Sequence, residues 1–358
     1  MRWLIDARPL ADSAGGVGRV ARGLVEAFVD LYPNDELILA TTGSNATSYK
    51  LQATSCRHVH LRVPNKLWSA ACYSGLTSLD REIEKRVGKI DGVFFPNIGF
   101  VGGVKRPYTL LLHDLSFLIE PKWFSKKMQL WHKAVRPKDL TCNAASLLAV
   151  SQSTKRDAIR LLGIPEEKIL VIPVIAPHLD MGAGTVPAPV PAPGRYVLAL
   201  GSSDVRKNTK TASMAVEILK KEKGFEDLEL VLVGSNNRVS DNELAHLYRN
   251  AAAFLYPSWY EGYGLPLHEA ANFGTPCIAS TAGALPETAP PGTMFVDPAK
   301  PQHWVEALRT VLSRNSNFQF PISNFQTADA GSRTDPGRNQ WHFAAKILRT
   351  ALINKALD

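Results

Sequence analysis

Short apolar runs alternate with helix-length amphipathic stretches along most of the chain. Seven runs occupy its first half: RWLID (2–6), ELILATT (36–42), HVHLRV (58–63), GVFFPN (92–97), YTLLLHD (108–114), SLLAVS (146–151) and KILVIP (168–173). Nearly continuous apolar strands that alternate with helices are typical of a parallel sheet covered on both faces. The pattern therefore predicts a doubly wound α/β domain.

The same alternation restarts after a break rich in proline and glycine. The stretch GAGTVPAPVPAPG (182–194) has the composition of an extended connector, and we predict that it links two domains. Further apolar runs follow it, at 195–201, 228–234, 253–258, 276–280 and 293–298. We therefore expect an N-terminal Rossmann-like domain over 1–181 and a C-terminal one over 195–336.

The chain ends in QWHFAAKILRTALINKA, whose apolar residues recur at helical spacing. Residues 316–336 before it are rich in Asn, Ser, Gly, Asp and Pro, which favours a loop. The pattern predicts a final helix that can pack on either domain.

Composition supports this organisation and narrows the class of protein. A length of 358 residues, with 45% hydrophobic and 21% charged residues, fits a folded two-domain protein. We expect a soluble, cytoplasmic protein, because no run approaches the roughly 18 apolar residues of a membrane span and Asp6 and Arg8 interrupt the N-terminus. The net charge of +8 predicts attraction to phosphate-bearing ligands, nucleic acid or an acidic membrane.

The segment WYEGYGLPLHEAANFGTPCIAS carries a pair of glutamates seven residues apart in a strand-loop-helix context. Pro266 suits the first helical turn and Gly274 the position just past its end, which predicts a helix over 266–273. Glu261 then lies in the preceding loop, and Glu269 lies one turn inside the helix.

Backbone amides precede that helix and make its positive N-terminus suitable for a diphosphate; they belong to Gly262, Tyr263, Gly264 and Leu265. A carboxylate accepts hydrogen bonds from two hydroxyls at once, which matches the vicinal diols of a ribose or a sugar ring. The alternative is a capping acid and a solvent-facing helical acid. The flanking glycines and the preceding strand favour the binding interpretation.

A second candidate is GSSDVRKN (201–208), which follows the first strand of the second domain. In open α/β sheets ligands bind outside the carboxyl ends of the strands. Arg206 and Lys207 would neutralise a diphosphate there, and their effect would grow as the leaving group gains charge. A solvated basic turn is the alternative.

Two further candidates lie in the first domain. In AGGVGRV (14–20), Gly15 and Gly16 form a turn that can place backbone amides beside phosphate or sugar. A dinucleotide site is disfavoured, because the next strand does not end in the acid that the fingerprint requires. His113 ends an apolar strand in LLHDLSF (111–117) and either hydrogen-bonds the transferred sugar, with Asp114 fixing the loop or the ring orientation, or is purely structural.

The segment KWFSKKMQLWHKAVRPK (122–138) contains six basic residues and no acid, with aromatic residues between them. Basic amphipathic helices of this kind lie on anionic membranes. A solvated basic face whose aromatic residues turn to the core explains the same letters, and the sequence leaves both interpretations open. The sequence has no D-x-D pair, so we expect no metal site and assign charge neutralisation to Arg206 and Lys207.

Taken in order, GGVGR, HD, SQSTKRD (151–157), GSSDVRKN, the glutamate segment with its PS and GLP flanks, and GALPE (283–287) resemble the retaining glycosyltransferases of family 4. The resemblance covers most of the chain. It implies a GT-B fold, in which two Rossmann-like domains face each other across a cleft. It also implies that the C-terminal domain holds the donor, the N-terminal domain holds the acceptor, and a last helix over 337–358 crosses back to the first domain.

The resemblance assigns a role to each residue that matches the family motifs. Glu261 is similar to the acid that contacts the sugar hydroxyls, and Glu269 to the ribose acid. Arg206 and Lys207 are similar to the diphosphate pair.

In the N-terminal domain, His113 is similar to the histidine near the donor sugar, and Gly15 and Gly16 to the loop beside the phosphates. The family is thought to retain anomeric configuration by front-face substitution, in which the departing phosphate helps to take the acceptor proton. No protein nucleophile is then required.

We therefore expect transfer of a hexose, first of all mannose from GDP-mannose, to a polysaccharide or lipid-linked glycan. The co-substrate is a nucleoside diphosphate sugar, and we expect no cofactor and no nucleic-acid partner. Contact of 122–138 with an anionic membrane would place the protein at the inner face of the cytoplasmic membrane. The alternatives are a nucleotide-sugar epimerase of the same architecture and a non-catalytic basic binding protein.

Overall fold

A computed structural model describes residues 1–10, 15–44, 55–174, 195–201, 204–234, 239–313 and 336–353. The chain divides into two compact units, Met1–Ile175 with Arg333–Asp358, and Ala176–Ser332. The predicted linker, 182–194, lies outside the described residues, as does 316–335 of the predicted loop.

The first unit is built on a parallel sheet whose strands are β1 (Arg2–Asp6), β2 (Glu36–Thr42), β3 (Cys56–Leu61), β4 (Gly92–Phe95), β5 (Tyr108–Leu112), β6 (Ser146–Ala149) and β7 (Ile169–Val171). Their order is β3-β2-β1-β4-β5-β6-β7, and every neighbouring pair is parallel. All seven predicted strands are confirmed, and five of them end two residues before the predicted end.

Helices cover both faces of this sheet, as the apolar strands require. They are α1 (Gly15–Leu31), α2 (Asn65–Tyr73), α3 (Leu79–Val87), α4 (Ser116–Ile119), α5 (Lys126–Val135), α6 (Pro137–Asn143), α7 (Gln152–Leu162) and, at the end of the chain, α13 (Pro336–Ile353). One core cluster joins the strands to α2, α3, α6 and α7 through residues such as Leu4, Trp68, Ile83, Leu140 and Ala158.

The final helix packs on the first unit, where it contacts α1 and strands β4 to β6. Its Arg349 donates to Asp35 at 2.9 Å, and its Arg338 donates to Asp30 at 2.9 Å. The Trp341 ring lies against Gly23 so closely that a Cβ there would be 2.7 Å from it. Of the two domains that the sequence left open for this helix, the structure selects the first.

The second unit has a parallel sheet of β8 (Tyr196–Leu200), β9 (Glu229–Val233), β10 (Ala253–Tyr256), β11 (Cys277–Ser280) and β12 (Met294–Val296), in the order β12-β11-β10-β8-β9. Its helices are α8 (Thr209–Leu219), α9 (Asp241–Asn250), α10 (Leu265–Asn272), α11 (Leu285–Thr288) and α12 (Pro301–Ser313). Separate core clusters lie on the two faces of the sheet, because alternate strand residues point to opposite sides.

The strand order determines where each sheet can bind a ligand. In the second unit β8 lies between β9 and β10, so successive connections leave it in opposite directions, and in the first unit the same holds at β1 and β4. Such a topological switch point opens a crevice at the carboxyl ends of the two strands. The candidate residues that follow β8 and β10 therefore lie beside the crevice of the second sheet.

Candidate functional site

The centre of the second unit's crevice is an ion pair between the segments that follow β8 and β10. Lys207 lies in a 3-10 turn, Val205–Lys207, and Glu261 lies in the loop before α10. The Lys207 Nζ donates to the Glu261 Oε1 at 2.7 Å, and the two side chains are only 21% and 14% exposed. The structure thus brings together two residues that the sequence placed in separate motifs.

A third member of this cluster is Tyr256, the last residue of β10, which sequence reasoning missed. Lys207 Nζ also donates to its Oη at 2.8 Å, and the tyrosine is 1% exposed. Burial raises the pKa of Tyr256 well above its ordinary value, and the Glu261 carboxylate adds to this through its charge and a hydrogen bond. The phenol therefore stays protonated and holds both charged partners.

Backbone contacts fix the same two segments to each other. The Trp259 amide donates to the Arg206 carbonyl at 2.7 Å, and the Asn208 side chain donates to the carbonyls of Pro257 at 3.1 Å and Pro298 at 3.2 Å. Gly201, at φ +90°, lies against the Lys207 side chain so closely that a Cβ would be 2.3 Å from its Cγ. Gly201 therefore leaves the space that the lysine stem occupies.

Arg206, the other predicted diphosphate ligand, is paired with Asp204. Its Nη2 donates to Oδ2 at 2.8 Å, and its Nε donates to Oδ1 at 3.2 Å. Burial alone would raise the pKa of Asp204, but the hydrogen bonds and charge of Arg206 lower it below its ordinary value. Each basic residue of this segment thus has an acidic partner.

Glu269 lies one turn inside α10 and is 3% exposed, so the interpretation as a solvent-facing helical acid is wrong. Tyr248 Oη donates to its Oε2 at 3.1 Å. Burial, followed by the charge and hydrogen bond of Glu269, raises the pKa of Tyr248 well above its ordinary value. The predicted helix over 266–273 is confirmed with a shift of one residue.

The loop that carries Gly262, Tyr263, Gly264 and Leu265 is held by the segment after β11. Gly264 precedes α10 at φ +100°, and a Cβ there would be 2.5 Å from a methyl group of Leu285. The Tyr263 carbonyl accepts a hydrogen bond from Thr288.

Glu261 is clamped from the same side. The Ala284 amide donates to its carbonyl at 2.9 Å, and Gly283, at φ +62°, would place a Cβ 2.4 Å from that oxygen. The GALPE motif (283–287) therefore positions the Glu261 loop. The glycine and proline of this motif indicate a turn in the sequence, but the sequence does not show that the turn contacts Glu261.

The remaining candidates belong to the first unit, at the carboxyl ends of its strands. His113 Nε2 donates a hydrogen bond to the Pro96 carbonyl at 2.8 Å, and burial lowers the pKa of the imidazole. Asp114 accepts from the amide of Ser116 at 3.0 Å and from its hydroxyl at 2.7 Å, so it fixes the loop as predicted.

Gly15, at φ +55°, and Gly16 are the first residues of α1. Sequence reasoning overlooked an ion pair a few residues earlier in the chain, between the half-buried Arg8 and the buried Asp6. Arg8 donates from Nε to Asp6 Oδ1 at 2.8 Å and from Nη2 to Oδ2 at 2.7 Å, directly after β1. The two residues had been noted only for interrupting an apolar N-terminus.

Across the described ranges, the side chains do not gather three or more His, Cys, Asp or Glu residues into a group that could hold a metal ion. Among the helices described, none has the length and apolar character needed to cross a membrane.

Comparison with known proteins assigns the chain to a family. The model "Glycosyltransferase Family 4" matches residues 14–174, and the model "Glycosyl transferases group 1" matches residues 236–321. The chain belongs to glycosyltransferase family 4 and has the GT-B fold, as its motifs and two parallel sheets predict. Among solved structures it resembles sucrose-phosphate synthase from Thermosynechococcus elongatus, with 20% identity, a TM-score of 0.66, and coverage of 99% of this chain and 97% of that one.

Two curated relatives are mannosyltransferases. The chain is 28% identical over 233 residues to the O-antigen chain mannosyltransferase B of Escherichia coli, across 57% of this chain and 60% of that protein. It is 31% identical over 222 residues to the MMP alpha-(1->4)-mannosyltransferase of Mycolicibacterium hassiacum, across 54% of this chain and 51% of that protein. The chain therefore spans about half to three-fifths of the length of these relatives.

Proposed function

We propose that the protein is a retaining, metal-independent hexosyltransferase that moves mannose from GDP-mannose to a polysaccharide or lipid-linked glycan. The observation that carries the proposal is the Lys207–Glu261 pair at the switch point of the second sheet, where one cation and one carboxylate lie 2.7 Å apart. A nucleoside diphosphate sugar offers phosphates to the first and hydroxyls to the second. The mannosyltransferase relatives support the choice of sugar.

Lys207 is suited to contact the diphosphate without leaving its cluster. An ammonium group has three donors, and two of them are directed to Glu261 and Tyr256. The third is available to a phosphate oxygen. Together with Arg206 and the amides that precede α10, it supplies positive charge where the leaving group becomes more negative.

The two glutamates take different parts of the donor. Glu261 presents Oε1 to Lys207, so its second oxygen is the acceptor for sugar hydroxyls. Glu269 on α10 accepts a hydrogen bond from Tyr248 on α9 and is assigned to the ribose diol. A carboxylate has acceptor capacity for about four hydrogen bonds, so neither contact needs to be broken.

The proposed reaction exchanges one bond to the sugar for another on the same face. The bond between C1 and the diphosphate oxygen breaks, and a bond forms between C1 and the acceptor hydroxyl oxygen. The hydroxyl proton passes to the departing phosphate. His113, kept neutral by its lowered pKa, is assigned to hydrogen-bond the transferred sugar.

Thermal unfolding with a panel of nucleotides and nucleotide sugars tests the donor site. A ligand at about 100 times its Kd stabilises a protein by about 2.7 kcal/mol. We expect GDP-mannose and GDP to raise Tm most among GDP-mannose, GDP-glucose, UDP-glucose, GDP and UDP. A response to the UDP compounds alone would overturn the assignment of the base, and no response to any of them would overturn the site.

A matched pair of lysine variants tests the role of the cluster. Lys207→Met should abolish stabilisation by the donor, whereas Lys210→Met, which removes the same charge from an exposed position on α8, should not. Equal responses of the two variants would show that general charge, not the cluster, attracts the donor.

Proton NMR of the product then tests retention, and activity in EDTA tests metal independence. An α-mannoside formed at an unchanged rate in EDTA is expected. A β-mannoside would refute retention, and loss of activity in EDTA would refute metal independence. Epimerised free nucleotide sugar in a reaction without acceptor would favour the epimerase alternative.

A further inference from the structure

Helices α2 and α5 of the first unit, with the segment just after α2, expose several large apolar side chains. We call this the α2–α5 surface, and its members are Leu67 (63% exposed), Tyr73 (64%), Leu76 (72%), Met128 (47%), Leu130 (69%) and Trp131 (40%). Single exposed apolar residues are normal on proteins, whereas clusters of them mark interaction sites.

The two parts of the surface are connected through one aromatic ring. Phe100 makes an edge contact with Tyr73, with ring centroids 6.5 Å apart, and another with Trp131, at 5.9 Å. The α2–α5 surface is therefore continuous across Tyr73, Phe100 and Trp131.

Basic residues share the exposed face of α5 with these apolar residues. Residues three and four positions apart on a helix are neighbours, which places Lys126 and Lys127 one turn before Leu130 and Trp131. All four side chains are exposed. The opposite side of the helix faces inward, where His132 stacks on Phe117 at 4.4 Å.

This arrangement decides between the two interpretations of the basic segment. A solvated basic face would turn its large apolar residues to the core, as Phe124 does by packing on the core cluster. Here Leu130 and Trp131 point outward beside lysines. Leu and Trp with flanking Lys on one helical face are typical of helices that lie at a membrane interface.

A cavity of about 420 Å³ opens beside the same surface, lined by Tyr73 and Phe100 and by Arg136, whose side chain is 70% exposed. Its volume is within the range of small-molecule sites. Arg136 is paired with Asp139, which also lines the cavity, so the cavity adds depth to the α2–α5 surface but no net charge from this pair.

We propose that the α2–α5 surface docks the protein on an anionic lipid bilayer. Leu130 and Trp131 enter the headgroup region, while Lys126 and Lys127 extend their chains toward lipid phosphates. The occupant is a membrane rather than a partner protein, because the segment 122–138 carries six basic residues and no acid. Bilayer docking does not depend on which sugar or nucleotide the second unit binds.

Co-sedimentation of the full chain with vesicles tests the proposal. We expect binding to vesicles of phosphatidylcholine with phosphatidylglycerol, weaker binding to phosphatidylcholine alone, and release by salt, because surface attraction is screened. Each basic residue near an anionic surface contributes about five-fold to binding, so Lys126→Glu with Lys127→Glu should lose about 25-fold or more. Leu130→Ser with Trp131→Ser should weaken binding to both kinds of vesicle.

Matched controls exist on another helix of the same unit. Phe343 is 58% exposed on α13 and Lys346 is also exposed there, so Phe343→Ser and Lys346→Glu each make one substitution of the same kind on a different element. Both should bind vesicles as the unmodified protein does. Donor-induced thermal stabilisation should be unchanged in all four variants, which separates this test from that of the proposed function.

Three results would overturn the proposal. The first is equal binding of the α5 variants and the α13 controls. The second is equal binding to vesicles with and without phosphatidylglycerol. The third is a dimer in analytical ultracentrifugation that Leu130→Ser with Trp131→Ser dissociates while vesicle binding persists, which would assign the surface to a second copy of the chain.

Discussion

Gly201→Ala tests whether the exact position of Lys207 governs turnover. Gly201 directly follows β8 at φ +90°, where its amide donates to the Val233 carbonyl at 2.7 Å and its carbonyl accepts from the Asp204 amide at 3.0 Å. These hydrogen bonds hold the backbone in place. A new methyl group must therefore displace the lysine stem.

The size of the displacement follows from the contact distances. The added Cβ would lie 2.3 Å from Lys207 Cγ and 2.9 Å from its Cβ, whereas carbon atoms pack at about 3.5–4.0 Å. Lys207 must therefore move by more than about 1 Å, and a displacement of that size in a catalytic group can cost about 100-fold in rate. We expect kcat to fall by about that factor. The left-handed backbone adds a stability cost of about 1–2 kcal/mol.

Gly224→Ala is the matched control, because Gly224 has φ +89° and nothing lies within 4 Å of the position of its Cβ. Both variants bear the same backbone cost, which corresponds to a fall in Tm of about 2–8 °C for a domain of this size. Steady-state kinetics and thermal unfolding of the two proteins are the assays. Equal kcat values for Gly201→Ala and Gly224→Ala would refute the reasoning.

Three further predictions follow from the site. Tyr256→Phe should lower kcat/KM by about 10-fold to 100-fold, because a hydrogen bond to a charged group is worth about 1.5–3 kcal/mol. The control is Tyr196→Phe, which removes a buried hydroxyl bonded to a carbonyl at 2.8 Å and should affect only stability. Equal kinetics of the two variants would count against the cluster. Glu269→Gln should raise the donor KM with little change in kcat, and a kcat defect alone would contradict its assignment to the ribose. Because the pKa of His113 is lowered, the unfolded state binds more protons than the folded state. The stability that His113 contributes is therefore present above about pH 6.5 and is lost as the pH falls. Chemical denaturation between pH 5 and 7 should show that the free energy of unfolding depends less steeply on pH in His113→Gln than in the unmodified protein.

Strand and helix positions could be predicted from the sequence because they depend on local periodicity. The apolar run at 195–201 placed Lys207 after a strand, and the signals of Pro266 and Gly274 placed Glu269 inside a helix; the structure bears out both. Tyr256 was missed because a tyrosine in an apolar run is typical of a core residue. Its partners, Lys207 and Glu261, lie 49 and 5 residues away on other segments. Contacts of that kind depend on which strands become neighbours, and no single motif determines the strand order.

The basic segment shows a different limit. The sequence of this segment predicts a helix, but it does not determine which of Phe124, His132 and Trp131 faces the core. In the structure Phe124 and His132 face inward. Trp131 faces outward, because the loop that carries Phe100 provides a partner for its ring. Such a choice is made by a neighbouring segment.

The paired charges of the second unit have a consequence for release of the nucleotide product. Arg206 and Lys207 are paired with Asp204 and Glu261 before any ligand arrives, so these two pairs together carry no net charge. For a donor that binds as proposed, the diphosphate shares these cations with carboxylates that stay attached to the protein. After transfer, the cations remain neutralised by the same carboxylates when the nucleotide leaves, so built-in partners of this kind would limit inhibition by the product.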